Sequence, residues 1–399
     1  MKPRPWCAGC ALKSAPSRQV PLTTCRAGVV CERIRTRQPL TQRKIPMTSR
    51  LKTTARMPIA VFGAGAIGRM HIERIQSHPD VCLSGIADPS DAARELATDL
   101  NVPWFSEPLA LLENTKPEAV IIATPNQTHT SAGLACIARK LPFLVEKPIA
   151  HTLESGAQLC RAADTAGVPV MVGHQRRHNP ILRRAKALVQ QGLLGRPVTA
   201  TAMATWLKPD EYFQMEWRRK PGGGPILINM IHDIDLLRFL LGEVVSVQAQ
   251  TSNAIRGFEV EDTASALLRF ENGALAALNV SDAAVAPWNW DFAAGEASHY
   301  AKQDVDAIFI TGTEASITLP QLQIFSFKEK RGWHEPLTQE RTPLHRGDPY
   351  VAQLTHIRAV AEGHEVPVCS GWDGLQTLRT TLAVHEAARS GQTVQITPA

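Results

Sequence analysis

Long apolar runs are missing from this 399-residue chain. No stretch approaches the roughly 18 consecutive apolar residues that a membrane-spanning helix needs, so no membrane partner is expected. Acid is nearly absent from residues 1–57, which carry 13 Lys and Arg against the single Glu32. The other 342 residues hold 30 basic and 36 acidic side chains, so the formal charge of +6 joins a basic leader to a mildly acidic body. That distribution argues against a nucleic-acid partner for the body. The leader also lacks a helical or strand period, and it lacks the apolar segment that follows the basic start of a secretory signal. Cys7 and Cys10 have a zinc-like spacing, but no second pair accompanies them, so zinc is not expected. A composition of 44% hydrophobic and 20% charged residues excludes wholesale disorder.

Three readings of residues 1–57 compete. The segment is Arg-rich and acid-poor, as an organelle transit peptide is. It could be a nucleic-acid-binding tail centred on Arg33, Arg35 and Arg37. It could be a start-site artefact, because Met47 and Met57 stand shortly before the first convincing strand. Cys82, Cys136, Cys160 and Cys369 lie in apolar or helical contexts and read as reduced, mostly buried thiols. A cytoplasmic location follows, or an organellar one if the leader is a transit peptide.

From Pro58 onward, short apolar runs alternate with helical stretches. Ile59–Phe62, Val81–Ala87, Ala119–Thr124 and Phe143–Val145 are buried-strand candidates, which predicts a parallel, doubly wound sheet. The first run leads into Gly63-Ala-Gly65-Ala66-Ile67-Gly68 and then a helix. Gly63 permits a tight turn, Gly65 lets backbone approach a pyrophosphate, and Gly68 allows close helix–strand packing. The N–H groups at the helix start favour an anion. Asp88, 20 residues beyond the last glycine, is placed to accept from a ribose diol and to repel a 2′-phosphate, so NAD is expected over NADP. Thr124-Pro125-Asn126 with His129, and then Glu146-Lys147-Pro148, fall at strand ends, where an open sheet meets its ligand. A Lys before Pro is held extended, which points Lys147 into the crevice. Thr124 to His129 can equally be a helix start and nothing more, with Asn126 as its cap.

Beyond His174-Gln-Arg176-Arg177-His178 and an amphipathic helix to about Gln191, strands dominate, at approximately 199–207, 244–253, 262–270, 274–281 and 306–318. Among them Gly222-Gly-Gly224 opens a helical pattern that runs to Gly242 and carries Asn229, His232 and Asp235 three residues apart. His174 and His178 have metal-pair spacing, but no third ligand is evident and the Arg pair opposes a cation, so no metal is expected. The segment from Trp206 to Lys220 offers aromatics and cations, Arg218 among them, that could line a polar pocket. Equally, it could pack its aromatics while its cations face water. The strands near 263–270 and 274–280 carry apolar residues on both faces, consistent with a homodimer or homotetramer.

Together, the glycine loop, Thr124-Pro125-Asn126 with His129, Glu146-Lys147-Pro148, and Gly222-Gly-Gly224 with His232 and Asp235 resemble the Gfo/Idh/MocA (glucose–fructose oxidoreductase/inositol dehydrogenase-like) family over roughly residues 58–390. The resemblance implies an α/β protein. Its N-terminal Rossmann domain would span 58–178, and a C-terminal α/β domain with an open, mainly antiparallel sheet would span 179–399, its last helix returning to the Rossmann domain. It implies Lys147 and His232 as catalytic positions. The cofactor would lie against Gly63, Gly65, Ala66, Ile67, Gly68, Asp88, Thr124, Pro125, Asn126, His129, Glu146 and Lys147. The substrate would lie against Lys147, Arg176, Trp206, Arg218, Asn229 and His232. One departure stands out: members carry an Asp four residues before the His, and here that position is Ile228, with Asn229 offset by about 100° on an α-helix.

The expected reaction is hydride transfer between a nicotinamide cofactor and a secondary hydroxyl or ketone of a small polyhydroxylated or carboxylated substrate (a cyclitol, sugar derivative or dihydrodiol acid). The competing readings are a catalytically weak nicotinamide-binding regulatory or sensor protein and a closed-cycle oxidoreductase whose cofactor never leaves.

Overall fold

The structure, a computed structural model, describes residues 55–399 apart from Ser298, Leu344, Arg346, Pro398 and Ala399. The expectations for residues 1–54 of the basic leader, including Cys7, Cys10 and Met47, lie outside the described residues, whereas Met57 is the first residue of the first strand.

Six parallel strands form the first sheet: β1 (Met57–Phe62), β2 (Val81–Ala87), β3 (Trp104–Phe105), β4 (Ala119–Ile122), β5 (Phe143–Val145) and β6 (Val170–Val172). Their order is β3-β2-β1-β4-β5-β6. Every residue of β4, β5 and β6 is buried, because helices cover both faces of a parallel sheet. The connecting helices are α1 (Ala66–Ser77), α2 (Asp91–Asp99), α3 (Pro108–Asn114), α4 (His129–Ala138) and α5 (Leu153–Ala166). Helix α5 starts at Thr152, whose hydroxyl accepts from Ser155 N, and stops at Gly167, which takes the left-handed conformation. Strand order reverses between β1 and β4, and the glycine loop leaves β1 at that switch point, where open sheets bind ligands.

The second sheet comprises β7 (Pro197–Thr205), β8 (Val244–Ser252), β9 (Thr263–Phe270), β10 (Leu275–Ser281), β11 (Ile308–Gly312), β12 (Ala315–Leu319), β13 (Gln323–Ser326), β14 (Thr338–Arg341) and β15 (Val394–Gln395). It is ordered β14-β13-β12-β11-β7-β10-β9-β8-β15, and only β7 and β10 pair in parallel. Residues along β9 alternate between inward Ala264, Ala266, Leu268 and Phe270 and an outward set containing Leu267. The inward face packs on helices α6 (Pro180–Gln190), α7 (Ile231–Leu241) and α10 (Gly371–Ser390). Leu267, Leu275, Val198 and Phe309 are exposed. A short helix, α8 (Trp290–Ala294), and the longer α9 (Pro349–Ala361) complete the chain.

Three expectations change in detail. The strand expected over 306–318 is a hairpin, because Thr313-Glu314 turns the chain between β11 and β12. The pattern expected as one helix up to Gly242 begins with a π-turn over Ile226–Met230 before α7. The return to the first domain involves two helices. Leu354, Ile357 and Val360 of α9 pack with Ile72 and Ile75 of α1. Helix α10 belongs to both cores, with Leu375 and Leu378 in one and Ala383, Val384 and Ala387 in the other.

Candidate active site

The glycine loop is built by close approach. Gly63 has φ +85, and a Cβ there would lie 2.6 Å from the Ala123 carbonyl oxygen; a Cβ on Gly68 would meet Gly63 O at 2.0 Å. Gly65 differs, since nothing lies within 4 Å of the Cβ position. Gly65, Ala66 and Ile67 are exposed, and no side chain caps the helix start. The first-turn N–H groups are thus open to an anion. Asp88 closes the loop from the end of β2. Its carboxylate accepts from Ala64 N at 2.7 Å and from Ser90 N at 2.9 Å. Burial opposes the charge of Asp88, but these bonds outweigh it and hold its pKa below the ordinary value. An open helix start beside an ionised carboxylate at the switch point fits the pyrophosphate and ribose diol of a dinucleotide.

The Thr124–His129 segment works differently from the expectation. Asn126 starts a short 3-10 turn rather than capping α4, and the α4 N-cap is Thr128, without a side-chain cap bond. Both ring nitrogens of buried His129 lie 2.9 Å from carbonyl oxygens, those of Thr124 and Pro148. His129 thereby ties the β4 end to the Glu146-Lys147-Pro148 segment, whose Lys147–Pro148 peptide is cis.

Glu146 is likewise engaged by the protein. Its carboxylate lies 2.8 Å from His71 Nε2, and a Cβ on Gly173 would lie 2.7 Å from it. Lys147 points into a cavity of about 720 Å³ lined also by Ala66, Ile67, Trp206, Asn229, His232 and Tyr350. Its Nζ donates to the Ile228 carbonyl at 3.2 Å. Burial lowers its pKa to about 8, against the raising effect of Glu146. His232 makes no hydrogen bond among the described residues. Its Nδ1 is enclosed, which leaves Nε2 as the ring nitrogen facing the cavity. Burial first, then the charge of Lys147, pushes its pKa well below the usual imidazole value, so the ring is neutral.

The π-turn resolves the Ile228 departure. A wide turn inserts before α7, so an α-helical offset does not describe where Asn229 points. Ile228 offers its backbone carbonyl to Lys147, and Asn229 lines the cavity with its Oδ1 accepting from Lys208 Nζ at 2.7 Å. Lys208 is buried and stands over the Tyr212 ring at 4.7 Å.

The arginines expected at the substrate are otherwise occupied. Arg176 lines the cavity but pairs with Asp233 and Asp291, both at 3.3 Å. Arg218 stacks 3.7 Å from the Tyr212 centroid and donates to the Tyr212 carbonyl, so it supports the wall from behind. Trp206 does line the cavity, edge-on to Phe292 and tilted against Tyr300. Asp235 lies beneath the site, where it accepts two bonds from Arg177 and one from Thr377. The carboxylate, with His174 and Cys369, forms a cluster of metal-ligand geometry, but the Arg177 guanidinium already neutralises it. Sequence reasoning missed Lys208, Asp291, Glu296, Tyr300 and Tyr350 as cavity residues. Lys208 stood in a segment already suspected, whereas the others come from far along the chain: Asp291 and Tyr350 from the first turns of α8 and α9, Glu296 and Tyr300 from the irregular stretch after α8.

Comparison with known proteins gives the same outline. Residues 57–174 match the oxidoreductase family with an NAD-binding Rossmann fold, and residues 182–318 match the GFO/IDH/MocA C-terminal domain. A scyllo-inositol 2-dehydrogenase (NAD(+)) of Bacillus subtilis is 26% identical over 350 residues, covering 84% of this chain and 95% of that protein. A 1,5-anhydro-D-fructose reductase of Ensifer adhaerens is 29% identical over 291 residues, 70% of this chain and 80% of that one. The WlbA dehydrogenase of Bordetella pertussis, solved with NADH and UDP-GlcNAcA, superposes with a TM-score of 0.69 at 25% identity, covering 86% of this chain and 99% of that one.

Proposed function

The chain belongs to the Gfo/Idh/MocA family of NAD-dependent oxidoreductases, and on that footing we propose that it oxidises a secondary hydroxyl of a small polyhydroxylated substrate with Lys147 and His232 at the reacting carbon. The observation that carries this reading is convergence. Ala66 and Ile67 of the glycine turn share one cavity with Lys147 and His232. A bound NAD supplies the hydride acceptor. His232, neutral and open at Nε2, takes the hydroxyl proton as general base. Lys147, charged below its pKa of about 8, donates to the same oxygen and stabilises the developing negative charge. Ile228 O positions the ammonium at 3.2 Å. Glu146, held by His71, keeps a carboxylate beside Lys147 without competing for its Nζ. Gly63, Gly65, Gly68 and Asp88 would hold the pyrophosphate and adenosine ribose.

Relatives named for inositol and anhydrofructose chemistry support a polyol, cyclitol or sugar derivative as substrate class. The exposed face of the second sheet, with Leu267, Leu275 and Phe309, supports a homodimer or homotetramer contact. Light scattering that reports a monomer at micromolar concentration would remove that part. The activity is tested by following nicotinamide reduction across cyclitols, sugars and sugar acids. Turnover of at least one class is expected. Tight NAD binding with no reduction across the panel would instead make this a regulatory nicotinamide-binding protein.

A further inference from the structure

Lys208 has no assigned task, yet its burial has to be offset. It is 6% exposed, and no carboxylate among the described residues lies within salt-bridge distance of its Nζ. The nearest candidate, Asp282, is engaged by Arg256 Nε at 3.2 Å. Burying an ammonium without a contacting carboxylate is expensive; Asp282 offsets part of that cost from a distance, while the charges of Arg218 and Lys147 add to it. Desolvation accordingly lowers its pKa to about 8. Its one hydrogen bond, to Asn229 Oδ1, leaves two ammonium protons unused. That bond also orients the Asn229 amide. With Oδ1 turned to the lysine, the Nδ2 group faces away from it and makes no hydrogen bond among the described residues. Both residues line the cavity that holds Lys147 and His232. The result is a donor-rich edge: apart from the Asn229 Oδ1 bond and the ring faces of Tyr212 and Trp206, 4.7 and 5.9 Å from the ammonium, no group among the described residues accepts from the Lys208 ammonium or the Asn229 amide. The other cations of the region cannot serve, since Arg176 is paired with two carboxylates and Arg218 is bound to Tyr212.

We propose that Lys208 and Asn229 form the recognition site for a carboxylate of the substrate, so that the enzyme acts on a polyhydroxylated acid rather than on a neutral polyol. Oxidation at the carbinol rests on the reading given above; recognition of the acid does not. A carboxylate accepts from Lys208 Nζ and Asn229 Nδ2 together and lies between two like charges, Lys208 and Lys147, that otherwise repel. A neutral CH2OH group at that place leaves the ammonium with no contacting carboxylate and only the longer-range charge of Asp282.

The test is equilibrium binding to the full chain with NADH present, using probe pairs that differ in the acid group. D-Glucuronate is set against D-glucose, D-galacturonate against D-galactose, and D-gluconate against D-glucitol. In at least one pair the acid is expected to bind about tenfold or more tightly than its neutral partner, the scale of a charge-assisted hydrogen bond. Lys208→Met should abolish that preference, with NADH affinity retained, and Lys208→Arg should restore part of it. Equal binding of acid and neutral members to the unaltered protein, or no binding of any acid, overturns the proposal without need of a variant. Preference that survives Lys208→Met in folded protein overturns it as well. The two readings separate cleanly. Lys208-dependent acid binding without hydride transfer upholds the recognition site and sinks the dehydrogenase assignment. Oxidation of neutral polyols with no acid preference does the reverse.

Discussion

Asp88→Asn removes one charge from the cofactor site while keeping the side chain's shape. The carboxylate now accepts from Ala64 N on one oxygen and from Ser90 N and Oγ on the other. An amide can accept on only one of those sides, and its NH2 must face an N–H on the other, so one loop bond is lost. Separately, a ribose hydroxyl that donates to a charged carboxylate gains about 1.5–3 kcal/mol, most of which a neutral amide forfeits. Asp88 is partly exposed, so solvent screening favours the lower end of that range. The NAD Kd should therefore rise about tenfold to thirtyfold. NADP should respond in the opposite sense, because a carboxylate near a 2′-phosphate repels it by about 1–4 kcal/mol per unit charge at close range. Titration of NADH and NADPH by nicotinamide fluorescence, with thermal melting alongside, reads all three effects. A melting temperature lower by a few degrees is consistent with the lost loop bond. An NAD Kd unchanged within twofold would refute the placement of Asp88 at the ribose. Equal weakening of both cofactors would show that the substitution acts through loop distortion rather than through the charge.

Two other perturbations probe different parts of the molecule. The rate of substrate oxidation should fall as pH rises through about 8, because Lys147, with its pKa lowered to that value, loses the charge that stabilises the reacting oxygen; a pH–kcat/KM profile that instead climbs through the same region would make Lys147 the proton acceptor. Arg177→Met should cost about 3–5 kcal/mol of folding stability by leaving Asp235 buried without its partner, as read by denaturant unfolding. Since the folded pKa of Asp235 is lowered to about 2, this contribution is present above the unfolded carboxylate value and is lost as pH falls toward 2. An Arg177→Met protein as stable as the parent at pH 7 would show that the pair is not what balances Asp235.

The first domain was legible because its signals are local. The run before Gly63, the glycine spacing and Asp88 all fall within one strand–helix–strand unit, and each constrains backbone within a few residues. Lys147 was legible for the same reason, standing before Pro148 at a strand end. The substrate side was harder to read because it is assembled across the chain. Arg176 looked available in sequence, but its neutralising partner Asp291 stands 115 residues away. Asn229 looked misplaced because a helical wheel assumes an unbroken α-helix, and a π-turn leaves no imprint on hydrophobic periodicity. Thr313-Glu314 hid a hairpin inside one apolar stretch for a similar reason, since strand alternation continues on both sides of a tight turn. Glu296 and Tyr300 follow α8 in an irregular segment, where no periodic pattern distinguishes a pocket wall from an exposed loop.

The central claim, that Lys147 acts at the reacting oxygen, is tested most directly by single-turnover hydride transfer in Lys147→Ala. With NAD affinity unchanged, the account predicts a rate reduced about a hundredfold or more, the loss expected when one donor to a developing oxyanion is removed. A rate within a few-fold of the parent, in folded protein that still binds NAD, would contradict it.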